Sequence, residues 1–371
     1  MSIRFLLISF ALLLPSQTSA ETHRAFCWIV YGVPWVVSDV SVWREKIVQT
    51  IAENSPDLIV LQEVWIFGEG SRFCEDLKRI GFPYAKYFYS LPFGSGLLMA
   101  SRFPILETDF RRFSYQGHPY SSGGDYYGGK GVAFAKVRTP AGDIAVFNTH
   151  LHARYRGEQF YPLQVTQVLD LVDFLQQKSV TDCSKRLPVV LLGDFNSTLR
   201  LTPLQLLISL GEFSIPDGPQ PLYRFDWIFA KSGSDLLCST ARNEWLDIPR
   251  ISDPSDAEAE AVSDHHPVIA DIALSAEGTE YHETSLFPDA RENAEKLLRQ
   301  EITVIRNRAI FSSAGGLLLL AAGWRILQKR RRWRGAIAFL VFVMGATLCL
   351  LGLYHYPSCI FALRKALSLL E

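Results

Sequence analysis

Between residues 25 and 275 the chain alternates short apolar runs with amphipathic segments. Apolar runs of strand length occupy 26–30, 58–61, 96–100, 132–137, 144–148, 189–192, 227–230 and 268–272. Apolar positions instead recur at helical spacing over 41–52, 71–80 and, most clearly, 159–177. Strands in both halves with helices between them predict a layered α/β sandwich. Two connections, 114–130 and 247–263, are long and rich in Gly, Ser, Asp and Pro. Loops of that length in a compact domain tend to be functional or mobile.

The two ends follow other patterns. Residues 1–20 combine Arg4, an apolar run over 5–15 and the small residues Thr18-Ser19-Ala20, which reads as a signal peptide. The apolar run is short for a bilayer span, so a cleaved export signal is expected. Near the other end, 289–308 reads as a charged helix with Leu297, Leu298, Ile302 and Ile305 as a narrow apolar stripe. Two apolar runs follow, 309–324 and 336–354; the second has the length of a membrane helix, and the first reaches it when Ile326 and Leu327 extend it. Between them lie Arg325, Lys329, Arg330, Arg331, Arg332 and Arg334. Such a cluster cannot enter a core, and with Trp324 and Trp333 as interface anchors it marks a cytoplasmic turn. The expected order is a signal peptide over 1–20, an exported domain over 21–280 and a charged linker helix over 281–308. A transmembrane hairpin over 309–354 and a tail over 355–371 complete it. Both ends then orient the domain to the exported side of a membrane. There is no internal repeat.

Composition narrows the classes. Of 371 residues, 48% are hydrophobic and 20% charged, which supports a packed core and excludes a disordered chain. A net charge of -1 disfavours a protein that relies on bulk attraction to nucleic acid. Six cysteines do not form a disulfide scaffold: Cys27 and Cys349 sit in apolar runs, and pairing among Cys74, Cys183 and Cys238 stays open. Burial as small hydrophobes is the expectation for all six. Oligomeric state leaves no trace in the sequence.

Polar groups stand directly after several apolar runs, where a rigid sheet can aim them. Gln62-Glu63 ends one run, Asn148-Thr149-His150-Leu151-His152 another, and Gly193-Asp194-Phe195-Asn196 a third. Ser263-Asp264-His265-His266 precedes the last. Singly, Glu63 reads as a surface charge, Asp194 as a turn residue and His266 as a solvated neighbour. In this order, together with Arg224-Phe225-Asp226-Trp227-Ile228, they resemble the endonuclease/exonuclease/phosphatase superfamily over roughly 26–272.

Within that superfamily the chain is most similar to the neutral sphingomyelinases. Thr149-His150-Leu151-His152-Ala153 with Tyr155, Gly94-Ser95-Gly96-Leu97 and Ser101-Arg102-Phe103-Pro104-Ile105 resemble their segments. So does the loop Gly124-Asp125-Tyr126-Tyr127-Gly128-Gly129-Lys130-Gly131. The resemblance implies a four-layer α/β sandwich with two mixed sheets, carried by a C-terminal transmembrane hairpin. It implies hydrolysis of sphingomyelin or a related membrane sphingolipid, with magnesium, or manganese in its place, held by Glu63. His265 is then the base, partnered by Asp264 or Asp226. Asp194 and Asn196 orient water and phosphate, His150 donates to a phosphoryl or leaving oxygen, and Asp125 with Lys130 forms a switch.

One position departs from the family pattern. The family's first strand carries an Asn at the metal site, and Ile29 of Trp28-Ile29-Val30-Tyr31-Gly32 stands there. Loss of one such polar contact lowers rates by about 10²-fold or more, while water can fill a magnesium position. Asn196-Ser197-Thr198 is also a glycosylation sequon, which a site role for Asn196 would require folding to hide. Two alternatives stay open: another phosphodiesterase or phosphatase of the superfamily, such as a nuclease or an inositol-phosphate phosphatase, and a catalytically impaired membrane-anchored binding protein.

Overall fold

The computed structural model describes residues 20–32, 37, 39–121, 124–155, 160–181, 183–216, 224–240, 242–249, 261–276, 286–328 and 334–370. The export signal, the basic turn at 329–333, most of 247–263 and the start of the expected linker helix lie outside the described residues.

Two mixed sheets face each other. The first contains β1 (Glu21–Gly32), β2 (Leu58–Val64), β3 (Tyr84–Phe88) and β4 (Leu97–Ser101). It is completed by β10 (Leu237–Thr240), β11 (Glu244–Trp245) and β12 (Val268–Ser275). Its order is β10-β12-β1-β2-β4-β3, with β11 also paired to β12. The second runs β5-β6-β7-β8-β9, from β5 (Ile105–Arg112), β6 (Gly131–Thr139), β7 (Gly142–His150), β8 (Val189–Asp194) and β9 (Asp226–Lys231). β1–β2 and β7–β8 are parallel, the other pairs antiparallel.

Strand alternation builds the layers. Ala25, Cys27, Val60 and Met99 meet Ala135, Val146, Val190 and Ile228 between the sheets. Phe26, Trp28 and Leu61 point the other way, against α1 (Val40–Asn54) and α2 (Glu69–Arg79). Helix α1 buries Trp43, Ile47 and Ile51, four residues apart on one face; burying each contributes about 2 kcal/mol. Its first turn is capped by Asp39, whose side chain accepts from the Ser41 and Val42 amides. The second sheet's outer face is covered by α3 (Tyr161–Lys178) and α4 (Thr202–Gly211). The expected four-layer sandwich is the observed architecture.

The C-terminal region holds one departure from the expected order. α5 (Ala290–Leu327) is a single helix that runs unbroken from the charged segment into the first apolar run. α6 (Arg334–Leu350) continues through a π-helical turn, Leu351–His355, into α7 (Tyr356–Ser368). Both ends of this hairpin belong to the globular domain: Ala294, Leu298 and Ile305 of α5 join the second sheet's core, as do Cys359, Leu363 and Ala366 of α7. Residues 356–368, read from sequence as part of a tail, thus form a docked helix. Apolar side chains farther out, including Phe311, Leu318, Phe339 and Leu340, are exposed. Two helices, Ala290–Leu327 and Gly335–Ser368, are long and apolar enough to cross a membrane. They pack through small residues: a Cβ on Gly316 would sit 2.8 Å from the Gly345 carbonyl oxygen.

All six cysteines are free, and the expectation of burial fails at Cys183, which is exposed in the connection between α3 and β8.

Candidate active site

Strand register lines up the first part of the site. On the second sheet His150 lies opposite Asp194, and Asp194 opposite Asp226, so three adjacent strands carry one polar row. Gly193 allows the close pairing, because a Cβ there would fall 2.1 Å from the Thr149 carbonyl oxygen. The first sheet delivers Gln62 and Glu63 at the end of β2. Glu63 has φ 60, a strained left-handed conformation for a residue with a side chain, and strain of this kind collects at functional sites.

Asn148 fastens the two sheets together at this end. It accepts from Gln62 Nε2 at 2.7 Å and donates to the Leu61 and Leu98 carbonyls at 3.0 Å. The turn before β12 is fixed just as firmly: Ser263 Oγ donates to the Ile29 carbonyl at 2.6 Å and accepts the His265 amide at 3.0 Å. Trp28 Nε1 donates to the His265 carbonyl at 2.9 Å.

His265 Nδ1 lies 2.8 Å from Asp226 Oδ2. Burial alone would lower the proton affinity of this imidazole, but the bond to Asp226 and the charges of Asp226, Asp194 and Asp264 outweigh it and lift the pKa to about 10. Asp194, Asp226 and His265 each place one donor atom within 4.8 Å of the others. Asp194 accepts the Asn196 amide at 2.6 Å and its Nδ2 at 2.9 Å; burial and then Asp226 raise its pKa. Asn196 Nδ2 also donates to Leu151 O at 3.0 Å, so folding turns the sequon amide into the structure.

The loop after β5 closes the other side. Lys130, only 2% exposed, reaches Asp125 Oδ1 at 3.0 Å, Leu151 O at 2.9 Å and His150 Nε2 at 2.9 Å. Asp125 also accepts the Ala153 amide at 2.7 Å. Burial would raise the Asp125 pKa, yet Lys130 and the two histidines hold it below the usual carboxylate range. His150 is pushed down by burial and by Lys130. An ammonium has no lone pair, so His150 Nε2 must accept from Lys130. Nδ1 then carries the only imidazole proton, and it is buried without a partner.

Glu63 Oε2 is likewise buried and unpartnered. Burial, against the pull of Lys130, lifts the Glu63 pKa to about 7. A desolvated carboxylate oxygen with no donor is a fit place for a hard cation, which takes oxygen ligands and keeps its own waters. Ile29 is buried and follows Ala25 and Cys27 in alternation on the inter-sheet face.

The fold therefore brings Glu63, Lys130, Asp125, His150, Asp194, Asn196, Asp226 and His265 to one end of the sandwich. Asp264 is exposed, and the carboxylate against His265 is Asp226. Asn148 and Gln62, which bridge the two sheets, stand in the sequence only as members of the motifs around His150 and Glu63. Their position one residue before Glu63 and two before His150, at the ends of apolar runs, is the signal of their bridging part.

Residues 37–265 match the Endonuclease/Exonuclease/phosphatase family. The chain is 32% identical to an inositol phosphosphingolipids phospholipase C of Schizosaccharomyces pombe over 184 residues, 48% of this chain and 42% of the relative. It is 33% identical to sphingomyelin phosphodiesterase 2 of Mus musculus over 174 residues, 46% of this chain and 39% of the relative. The chain thus spans about two-fifths of the length of these curated relatives. Among solved structures, a beta toxin mutant from Staphylococcus aureus with bound magnesium ions has the same fold, with a TM-score of 0.51 at 15% identity. That likeness covers 67% of this chain and 99% of the toxin.

Proposed function

The chain belongs to the endonuclease/exonuclease/phosphatase family, and we propose that within it the protein is a membrane-anchored, magnesium-dependent sphingolipid phosphodiesterase. It hydrolyses sphingomyelin, or a sphingolipid with a related phosphorylated headgroup, to ceramide and the free phosphorylated headgroup. The observation that carries this reading is the meeting of Glu63, whose Oε2 is buried and unpartnered, with the His265–Asp226 pair and the Lys130-clamped loop, in a chain with two membrane-length helices. The relatives' names supply the substrate class, and the toxin's magnesium supplies the ion.

Glu63 would hold the ion, with water filling the position that Ile29 cannot. Bound there, magnesium supplies positive charge to a phosphodiester oxygen and opposes the carboxylate field on His265. With Nδ1–H directed at Asp226, His265 Nε2 is the nitrogen free to take a proton from water. The water oxygen bonds to phosphorus as the bond from phosphorus to the ceramide oxygen breaks, and a proton from solvent or the site completes ceramide. Asp194 and Asn196, locked together by two hydrogen bonds, present acceptors that orient the attacking water. Lys130 supplies positive charge on the loop side, its three N–H groups engaged by Asp125, Leu151 O and His150 Nε2, while His150 keeps Nδ1–H as the unpartnered donor. The catalytic domain sits on the exported face, and the hairpin keeps it at high effective concentration beside its lipid.

The test is headgroup release from sphingomyelin, and in parallel from an inositol phosphosphingolipid, by the full chain in detergent with magnesium or with EDTA. Release that requires both magnesium and His265, shown with His265→Ala, supports the reading and assigns the headgroup. Wild-type protein that releases neither headgroup in magnesium, or an active His265→Ala variant, refutes it.

A further inference from the structure

Away from the catalytic row, three metal-ligating side chains converge where the globular domain meets the hairpin. His118 Nδ1 stands 2.9 Å from His355 Nε2, and Cys359 Sγ stands 3.7 Å from that same nitrogen. The three ligand atoms lie within 4.8 Å of one another. His118 is 9% exposed and Cys359 4%. His355 and Cys359 come from one helical turn, four residues apart on one face, and the π-helical turn ending at His355 leads into it. His118 comes from the loop that also carries Asp125 and Lys130.

We propose that His118, His355 and Cys359 form a second metal site, for a zinc-class ion, that clasps the Asp125–Lys130 loop to the membrane-proximal helix. Two imidazole nitrogens and a thiolate are a borderline-soft donor set that suits zinc and not magnesium. Tetrahedral zinc with bonds of about 2.0–2.1 Å to nitrogen and about 2.3 Å to sulfur separates its ligand atoms by about 3.3–3.6 Å. The His118–His355 and His355–Cys359 spacings need to adjust by only a few tenths of an ångström, and the His118–Cys359 spacing, which lies within 4.8 Å, closes by at most about 1.3 Å. A plain hydrogen bond between the two histidines accounts for 2.9 Å, but it does not call for a sulfur beside the same nitrogen. His118 Nε2 faces Tyr115 Oη at 3.3 Å, a partner able to fix the ring as outer-shell groups do for metal-bound histidines. Arg308 Nη1, 3.5 Å from the same nitrogen, is a nearby cation that the thiolate's charge offsets. Three protein ligands leave the fourth position to water.

The test uses the full chain in detergent, stripped of metal and then titrated with Co²⁺ under excess Mg²⁺, so that oxygen sites are already occupied. One equivalent of Co²⁺ should bring a thiolate-to-cobalt absorption band that Zn²⁺ bleaches. Cys359→Ser should abolish the band, His118→Asn should weaken Co²⁺ binding at least tenfold, and Glu63→Gln should leave the band unchanged. A wild-type protein without the band, or a Cys359→Ser protein that keeps it, overturns the proposal. Zinc X-ray absorption of the wild-type protein needs no variant to fold. A single sulfur neighbour at about 2.3 Å with nitrogen or oxygen neighbours supports the site, and a shell without sulfur overturns it.

Discussion

Replacing Asp226 with Asn removes the charge that most strongly holds a proton on His265 while keeping a side chain of the same shape. The His265 pKa, lifted to about 10 from an ordinary 6.5, reflects about 5 kcal/mol of preference for the charged imidazole. Burial acts in the opposite direction, so the carboxylates supply more than the whole of it, and Asp226, bonded at 2.8 Å, is the largest contributor. Its neutralisation is expected to lower the His265 pKa by about 2, or about 3 kcal/mol. A base works only when unprotonated, so under the proposed mechanism activity climbs as pH rises through the His265 pKa. The acid limb of kcat/KM against pH should therefore move to lower pH by about 2 in Asp226→Asn. The plateau should fall by about 10²–10⁴-fold, because the imidazole loses the partner that fixes its orientation and tautomer. Headgroup release in mixed micelles with magnesium, whose charge draws the His265 midpoint down into the window from pH 5 to 10, measures both. A midpoint that stays put or rises refutes the coupling, as does an Asp226→Asn/His265→Ala double variant that loses the product of the two single losses.

Glu63 gives a stability test with magnesium removed. Its folded-state pKa of about 7 lies above the ordinary 4.5, so the unfolded chain releases this proton first and folding weakens as pH rises between those values. In EDTA the wild-type protein should lose up to about 3 kcal/mol across that window relative to Glu63→Gln. Parallel denaturation curves for the two proteins would exclude a desolvated Glu63. Lys130→Met leaves the Asp125 carboxylate buried without its cation and should cost about 3–5 kcal/mol. The Asp125→Asn/Lys130→Met pair should recover part of that loss, and thermal melts that are unchanged by Lys130→Met would rule out the clamp.

The layered core was legible because strands between two covered faces must be apolar at nearly every position, as β8 is from Val189 to Leu192. Edge strands lack that demand. β5, Ile105–Arg112, is mostly half-exposed or exposed and carries Glu107, Asp109, Arg111 and Arg112, so its sequence reads as a loop. α4 is hidden for the opposite reason: Leu204, Leu206, Leu207 and Ile208 bury so much of its girth that no narrow apolar stripe marks it. In the site, the positions of Glu63, His150, Asp194 and His265 follow from their places next to apolar runs. The choice of Asp226 over Asp264 does not, because it depends on β8 pairing with β9 in a register that puts Asp194 against Asp226. Docking of Tyr356–Ser368 was likewise unreadable: its apolar residues resemble a continuation of the preceding membrane run until a partner surface, the second sheet's core, is known.

Under the proposed function, the unbroken backbone of α5 couples the cleft to the bilayer mechanically. Its docked half and its apolar half share one helical phase, about 100° and about 1.5 Å per residue. A single residue inserted between Ile305 and Ala309 would turn the outer half by about 100° against Leu298 and Ile305, and lift it by about 1.5 Å. With α7 docked at the other end of the hairpin, the cleft has a set azimuth and a set height above the lipid, like a tool on a fixed mount rather than a float on a tether. Under the proposed function, lipids have to drift sideways to the mouth, and the length and phase of this helix, as much as any side chain in the cleft, select which part of a headgroup arrives there.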